Sequence, residues 1–100
     1  MKRGEIWSVV RMRHQRSVVV VGSDEVTAKR DAVLSVPLSE VMSAAPEHPA
    51  VAESSGRPMG VALAPRIGEI DKSYFLVPSG ELSRDSLDKL DRALREVLDL

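Results

Sequence analysis

Residues 16–22 read Arg-Ser-Val-Val-Val-Val-Gly, a run of four consecutive valines that a glycine ends. β-Branched residues favour strands, and a run without alternating polar residues is typical of a strand covered on both faces. This stretch therefore predicts a central strand with other elements packed on both sides of it. A chain of 100 residues has the length of one compact domain, so we expect a single domain over residues 1–100.

Further strands are predicted before and after the valine run. Residues 5–10 form the first, and a polar connection over residues 11–15 joins it to the valine strand. Residues 23–31 are polar and predict a loop with a helical turn. Residues 32–37 predict a third strand, whose end Pro37 places at an edge or a bulge. Weaker strand signals follow around Val51, over residues 61–66 and 67–70, and over residues 74–77 before a predicted turn at residues 78–80.

Two helices complete the predicted α+β fold. Ser39 is a suitable N-cap for a short helix over residues 39–45, which Pro46 stops. A longer helix follows Ser83, with acid-before-base pairs at Asp88–Arg92 and Asp91–Arg95 on its outer side. Its apolar residues recur at helical spacing and predict a face that packs against the sheet: Leu87, Leu90, Leu94, Val97 and Leu98.

The charge of the chain is balanced overall but unevenly distributed. The net charge is −1, which gives no general attraction to nucleic acid. Residues 1–30 hold seven basic against three acidic residues, whereas residues 81–100 hold four basic against six acidic residues. This asymmetry indicates either a basic face that meets phosphate or a solvated hairpin tip beside an ordinary surface helix.

Several classes of site are absent from the sequence. There is no phosphate-binding glycine loop and no nucleophile elbow. The chain has no cysteine, and His14 and His48 lie far apart without a carboxylate at ligand spacing, so we predict no metal and no cofactor. No stretch approaches the about 20 apolar residues of a membrane helix or resembles a signal peptide, so we expect a cytoplasmic protein without membrane contact.

Five stretches, taken in order, resemble the MazF/PemK (Kid)-like toxins of the MazF/CcdB superfamily. Each stretch is short, but their order and spacing cover nearly the whole chain. They are residues 2–7 (Lys-Arg-Gly-Glu-Ile-Trp), 16–21 (Arg-Ser-Val-Val-Val-Val), 36–39 (Val-Pro-Leu-Ser), 67–72 (Ile-Gly-Glu-Ile-Asp-Lys) and 87–94 in the closing helix.

The resemblance implies a small SH3-like β-barrel, a homodimer, and an antitoxin partner in a toxin–antitoxin system. It also implies an mRNA interferase, an endoribonuclease that cleaves single-stranded RNA without metal through attack of the 2′-hydroxyl on the adjacent phosphate. Arg16 matches the family's catalytic arginine, and Ser39 matches a threonine and keeps its hydroxyl. The basic strip around the first hairpin, Arg11, Arg13 and His14, lies where the family places its RNA groove.

The sequence also departs from the family pattern. The first loop shrinks to residues 11–15, and Gly68, Leu63 and Pro65 stand where the family carries an arginine or, upstream, an arginine and an aspartate. One alternative is a CcdB-like toxin that binds DNA gyrase, although CcdB's closing Trp-Gly-Ile is absent; another is a catalytically degenerate binding module. Arg16 has the structural alternative of an ion pair with Asp24 or Glu5, and Ser39 that of a helix cap alone.

Overall fold

The computed structural model describes residues 1–100 and shows a seven-stranded antiparallel sheet in the order β4-β5-β3-β2-β1-β7, with β6 also paired to β3. A bridge between Glu53 and Leu82 connects the ends of β4 and β7, so the sheet curls towards a barrel. The α+β class is confirmed. The elements are β1 (Glu5–Arg11), β2 (His14–Val20), α1 (Asp24–Lys29), β3 (Ala32–Ser39), β4 (Ala50–Ala52), β5 (Pro58–Ala62), β6 (Gly68–Asp71), β7 (Phe75–Glu81) and α2 (Arg84–Val97), with 3-10 turns at Ala64–Arg66 and Lys72–Tyr74.

The valine run lies at the centre of the sheet, as predicted. Strand β2 pairs with β1 on one side and β3 on the other. All four valines are buried, and Val19 and Val21 belong to the main core together with Ile6 and Val36. The prediction of a strand covered on both faces is therefore confirmed.

Strand β3 changes partners along its length. Its first half, from Ala32 to Ser35, pairs with β6, and its last residues, Leu38 and Ser39, pair with β5. Pro37, which has no N–H for a ladder, lies between these two sets of pairs, and its carbonyl accepts from the Leu63 N–H at 2.9 Å. On the other edge, the ladder with β2 ends at Pro37. Beyond that residue the two strands diverge.

The helix predicted over residues 39–45 does not form. Ser39 ends β3, and its hydroxyl accepts from the backbone N–H groups of Val41 and Met42 at 3.3 and 3.2 Å, which caps a bend rather than a helix. Val41 is 92% exposed and Met42 43% exposed. A short helix depends on burying an apolar face, and this segment has no core to pack against.

Three other predicted boundaries are corrected by the structure. The helical turn within residues 23–31 is a full short helix, α1, capped by the Ser23 hydroxyl, which accepts from the Val26 N–H at 3.2 Å. Pro65 lies in a 3-10 turn instead of a strand. The turn predicted at residues 78–80 is part of β7, because Pro78 lies in an edge strand, where a missing N–H is tolerated.

The C-terminal helix α2 is the best-predicted element, although its packing differs in detail. The Ser83 hydroxyl caps it by accepting from the Ser86 N–H at 3.2 Å, and Leu90 is fully buried. Val97 and Leu98, predicted to be core, are 37% and 49% exposed. Neither predicted acid–base pair forms, and Asp91 pairs with Arg3 of the chain start instead. No helix is long and apolar enough to cross a membrane.

Candidate nucleic-acid interface

The first hairpin is tighter than the predicted polar connection. Strands β1 and β2 run up to Arg11 and His14, which pair across the ladder, so that only Met12 and Arg13 form the turn. Both turn residues have positive φ, 49° and 68°, the signature of a type I′ hairpin turn. Most of the predicted connection is therefore strand, and its side chains have fixed directions.

The hairpin sets part of the basic strip on one face of the sheet. Alternate residues of a strand share a face, so His14, Arg16 and Val18 point the same way. Arg16 pairs with Val9 across the ladder, as His14 does with Arg11. All five of these residues border a concave cleft of about 410 Å³, which we call the face cleft. Ser35 and Pro37 of β3 also line it.

A second cleft opens where β2 and β3 diverge, and we call it the fork cleft. The ladder pairs Val18 with Pro37, and continuing it by two residues sets Arg16 opposite Ser39. The two strands are no longer bonded there, since their ladder ends at Val18 and Pro37, while the opposite edge of β3 continues with Ser39 paired to Val61 of β5. The resulting cleft has a volume of about 450 Å³, and its lining includes Arg16, Ser39, Glu40, Met42 and Leu63.

Arg66 is a site residue that sequence reasoning missed. Together with Arg16 it lines both the face cleft and the fork cleft. It ends the 3-10 turn of residues 64–66 and is exposed. The available signal was its position, two residues before Gly68, in a stretch where the family pattern carries an arginine.

Arg16 and Arg66 define the junction of the two clefts, because both residues line both clefts. Their guanidinium groups have no protein partner. Neither Arg16 nor Arg66 takes part in any side-chain hydrogen bond or ion pair. The alternative that Arg16 merely pairs with a nearby carboxylate is therefore not realised. Glu69, which lines the face cleft, is held by Arg30 through two hydrogen bonds of 2.8 and 3.0 Å. The junction thus presents unpaired positive charge.

The predicted site residues fall into two groups. Arg11, His14 and Arg16 line the face cleft, and Arg16 and Ser39 line the fork cleft. Arg13 lies in the turn and lines neither cleft. The Arg11 guanidinium lies 5.3 Å from the ring centre of Tyr74, a cation–π distance that orients this side chain at the rim.

Ser39 retains a usable donor in the fork cleft. Its oxygen accepts from the two backbone N–H groups of the bend, whereas a hydroxyl also carries one proton of its own to donate. No side-chain acceptor for that proton is present among the hydrogen bonds of the protein. The cap and a contact to an anion are therefore compatible.

Two carboxylates with lowered pKa values lie outside both clefts. The Lys2 backbone N–H donates to Glu5 at 2.8 Å and lowers its pKa, an effect that burial opposes and the Trp7 indole N–H reinforces. The Ser73 N–H donates to Asp71 at 2.9 Å and lowers the pKa of that group. Both bonds fix the starts of local elements. No group of three or more His, Cys, Asp or Glu side chains is placed to hold a metal ion.

Solved structures share this fold over essentially the whole chain. A mycobacterial endoribonuclease in complex with its cognate antitoxin aligns with a TM-score of 0.90 at 19% identity, over 100% of this chain and 96% of that chain. A chain of the MazE–MazF complex from Deinococcus radiodurans gives 0.85 at 16% identity, over 100% and 96%. The Mycobacterium tuberculosis toxin MazF-mt6 gives 0.78 at 15% identity, over 96% and 97%. The fold is that of the MazF toxins.

The sequence family agrees with the fold. The family described as PemK-like, MazF-like toxins of type II toxin–antitoxin systems matches residues 2–98. The chain belongs to this family, and the match favours the MazF-like over the CcdB-like alternative. No curated protein gives a significant sequence match.

Proposed function

We propose that this toxin is a metal-independent endoribonuclease that cleaves single-stranded RNA in the cytoplasm, an mRNA interferase. The observation that carries the proposal is the fork cleft, which is lined both by Arg16, whose guanidinium has no protein partner, and by Ser39, whose hydroxyl donates to no protein group. Membership of the MazF-like family and the fold of proteins described as endoribonucleases support it.

The chemistry of RNA cleavage suits these two groups. The ribose 2′-hydroxyl attacks the adjacent phosphorus, the bond to the 5′-oxygen breaks, and a 2′,3′-cyclic phosphate and a 5′-hydroxyl result. Negative charge grows on the phosphoryl oxygens in the transition state. The Arg16 guanidinium offers two parallel donors to those oxygens, and the Ser39 hydroxyl adds a third.

The reaction also moves a proton from the 2′-oxygen to the leaving 5′-oxygen. Two side chains beside Arg16 are able to exchange protons: Glu40 in the fork cleft and His14 in the face cleft. They lie on the two sides of the junction, which matches a reaction that needs an acceptor on one side of the phosphate and a donor on the other. Glu69 is less suited because Arg30 holds it.

The proposed function is tested by incubating the protein with a long single-stranded mRNA in excess EDTA. Cleavage is the expected result, and a DNA of the same sequence is the control, since it lacks the attacking 2′-hydroxyl. A CcdB-like or degenerate member of the superfamily gives no RNA fragments in this assay.

RNA binding is expected to depend steeply on salt, with a contribution from Arg11. Each phosphate contact of a single strand contributes about 0.7 log units of affinity per log unit of salt. Because Arg11 lines the face cleft and Arg13 does not, Arg11→Ala should flatten the slope by about one contact and Arg13→Ala by less. Base preference should not change, because phosphate contacts carry no sequence information.

The measurement is fluorescence anisotropy of a labelled RNA at several salt concentrations. Unchanged slopes in both variants would remove the hairpin from the RNA path. A larger loss for Arg13→Ala than for Arg11→Ala would place the RNA outside the face cleft.

An antitoxin is the second proposed partner, as type II toxin–antitoxin membership implies. An acidic antitoxin segment suits the unpaired arginines at the junction of the clefts for the same electrostatic reason as RNA does. If the two ligands share this surface, an antitoxin peptide should displace RNA in competition, and simultaneous binding of both would show separate sites.

We also propose that the toxin is a homodimer that pairs along β7. This strand pairs with β1 along one edge, and its other edge is bonded only at its end, where the Ser54 N–H donates to the Glu81 carbonyl at 3.0 Å. Its residues Leu76 and Val77 are 52% and 56% exposed. Adjacent strand residues point to opposite faces, so apolar side chains flank the open edge on both sides. A small chain gains stability by covering such an edge with a second copy.

Sedimentation velocity tests the dimer. The wild type should shift from monomer to dimer with increasing concentration, and Val77→Asp should stay monomeric. Val26→Asp is the matched control, because Val26 is 52% exposed, close to the 56% of Val77, but lies on α1. A monomer at all concentrations contradicts the dimer, and a dimeric Val77→Asp protein contradicts the assignment to β7.

A further inference from the structure

Arg66 is fixed from below by a tightly bonded turn. Its backbone N–H donates to the Leu63 carbonyl at 2.9 Å, and the Ile67 N–H donates to the Ala64 carbonyl at 3.1 Å. The Leu63 N–H in turn donates to Pro37 of β3 at 2.9 Å, and both Leu63 and Ala64 are buried. The base of the Arg66 side chain is therefore held against the strand that forms the fork.

The Arg66 side chain itself is not used by the fold. It is exposed and makes no hydrogen bond or ion pair, whereas the nearby carboxylate of Glu69 is paired with Arg30. An arginine that served only to neutralise its surroundings would be expected to take Glu69 as its partner. A fixed backbone below an unpaired guanidinium instead leaves that group free to bind an anion at a defined place.

Arg16 and Arg66 are the two residues that line both clefts. Arg16 comes from β2 and Arg66 from the turn after β5, so they reach the junction from different elements. A phosphodiester that passes from one cleft to the other therefore crosses a region that both arginines line. Because the phosphoryl group gains charge in the transition state, a second guanidinium stabilises charge that a single one leaves unpaired.

We propose that Arg66 is a second phosphate-binding arginine, and that the RNA strand runs from the face cleft to the fork cleft with its scissile phosphate between Arg16 and Arg66. This inference rests on the proposed endoribonuclease function. It assigns to Arg66 a direct contact with the scissile phosphate, and it places the RNA strand across both clefts.

The test compares Arg66→Ala, Arg66→Lys and the control Arg95→Ala in single-turnover RNA cleavage. Arg95 is an exposed arginine of α2, away from both clefts. We expect Arg66→Ala to cleave about 10²-fold more slowly, as for loss of one preorganised donor. Arg66→Lys should recover part of the rate, since lysine keeps the charge and loses the paired geometry. Arg95→Ala should match the wild type, and all four proteins should melt at similar temperatures.

The dependence of RNA affinity on salt gives the second readout. Arg66→Ala should flatten the slope by about one contact, about 0.7 log units per log unit of salt, whereas Arg95→Ala should not. If the wild type cleaves and Arg66→Ala cleaves as fast, the inference fails while the proposed function stands. If the wild type binds RNA without cleaving it, the proposed function fails, and equal slopes for wild type and Arg66→Ala then overturn the inference as well.

Discussion

Arg16→Ala should lower the rate of RNA cleavage by about 10²–10³-fold, the typical loss on removal of one preorganised donor to a developing anion. The side chain at position 16 lines both clefts and makes no ion pair within the protein. Its removal leaves no buried group unsatisfied, so the free energy of unfolding should change by no more than about 0.5 kcal/mol. A loss of activity in a protein of normal stability identifies a role in the reaction.

The measurement is single-turnover cleavage with enzyme in excess, in EDTA, alongside thermal unfolding of each variant. Ser39→Ala should weaken cleavage less than Arg16→Ala, and Ser39→Thr, which keeps the hydroxyl, should retain activity. Arg13→Ala is the matched control from the same hairpin. A wild-type rate in the Arg16→Ala protein would remove Arg16 from the site.

Gly60→Ala should destabilise the protein and also reduce cleavage. Gly60 has φ of +79°, and a Cβ at this position would lie 2.2 Å from the Ser39 carbonyl oxygen. The backbone conformation costs an L-residue about 1–2 kcal/mol, and the overlap adds about 1–3 kcal/mol as β5 or the end of β3 shifts. Because the displaced residue is Ser39, the fork cleft changes shape together with the fold.

Gly56→Ala separates the cost of placing an L-residue at positive φ from the cost of the overlap with Ser39. Gly56 also has positive φ, +94°, but no atom lies within 4 Å of a Cβ built there. Denaturant unfolding should therefore show a smaller loss for Gly56→Ala than for Gly60→Ala, and Gly56→Ala should cleave RNA at the wild-type rate. Equal losses of stability in both variants would show that the close approach to Ser39 has no energetic effect.

The parts of the fold that the sequence predicted are those with strong local patterns. The valine run specified a buried central strand, and the serine cap with leucines at helical spacing specified α2. The prediction of a short helix after Ser39 was wrong. Ser39 does cap the backbone that follows it, but the apolar residues of this segment have no core to pack against. The last strand was predicted over residues 74–77, but its continuation through Pro78 was missed, because whether a proline is tolerated in a strand depends on the neighbours of that strand.

The candidate site likewise has residues that the sequence identified and features that only the tertiary structure shows. Arg16 and Ser39 were identified through the family resemblance, and the structure brings them into one cleft. The cleft itself follows from the divergence of β2 and β3 beyond Pro37, a tertiary event with no local signature. Arg66 was missed because it stands two residues from the expected position, and only the 3-10 turn brings it to the junction. The two-residue turn of the first hairpin was not predicted, because Met12 and Arg13 adopt positive φ although neither is a glycine or an asparagine.

The chemical identity of the fragment ends produced from a long mRNA in EDTA tests most directly whether this protein cleaves RNA through the 2′-hydroxyl. Attack by the 2′-hydroxyl predicts 2′,3′-cyclic phosphate on the upstream fragment and a free 5′-hydroxyl on the downstream fragment, both visible by mass spectrometry. A substrate with a single 2′-deoxynucleotide at the cleaved position should resist cleavage there. Intact RNA in the presence of folded wild-type protein, or fragments that carry 5′-phosphates, would contradict the account.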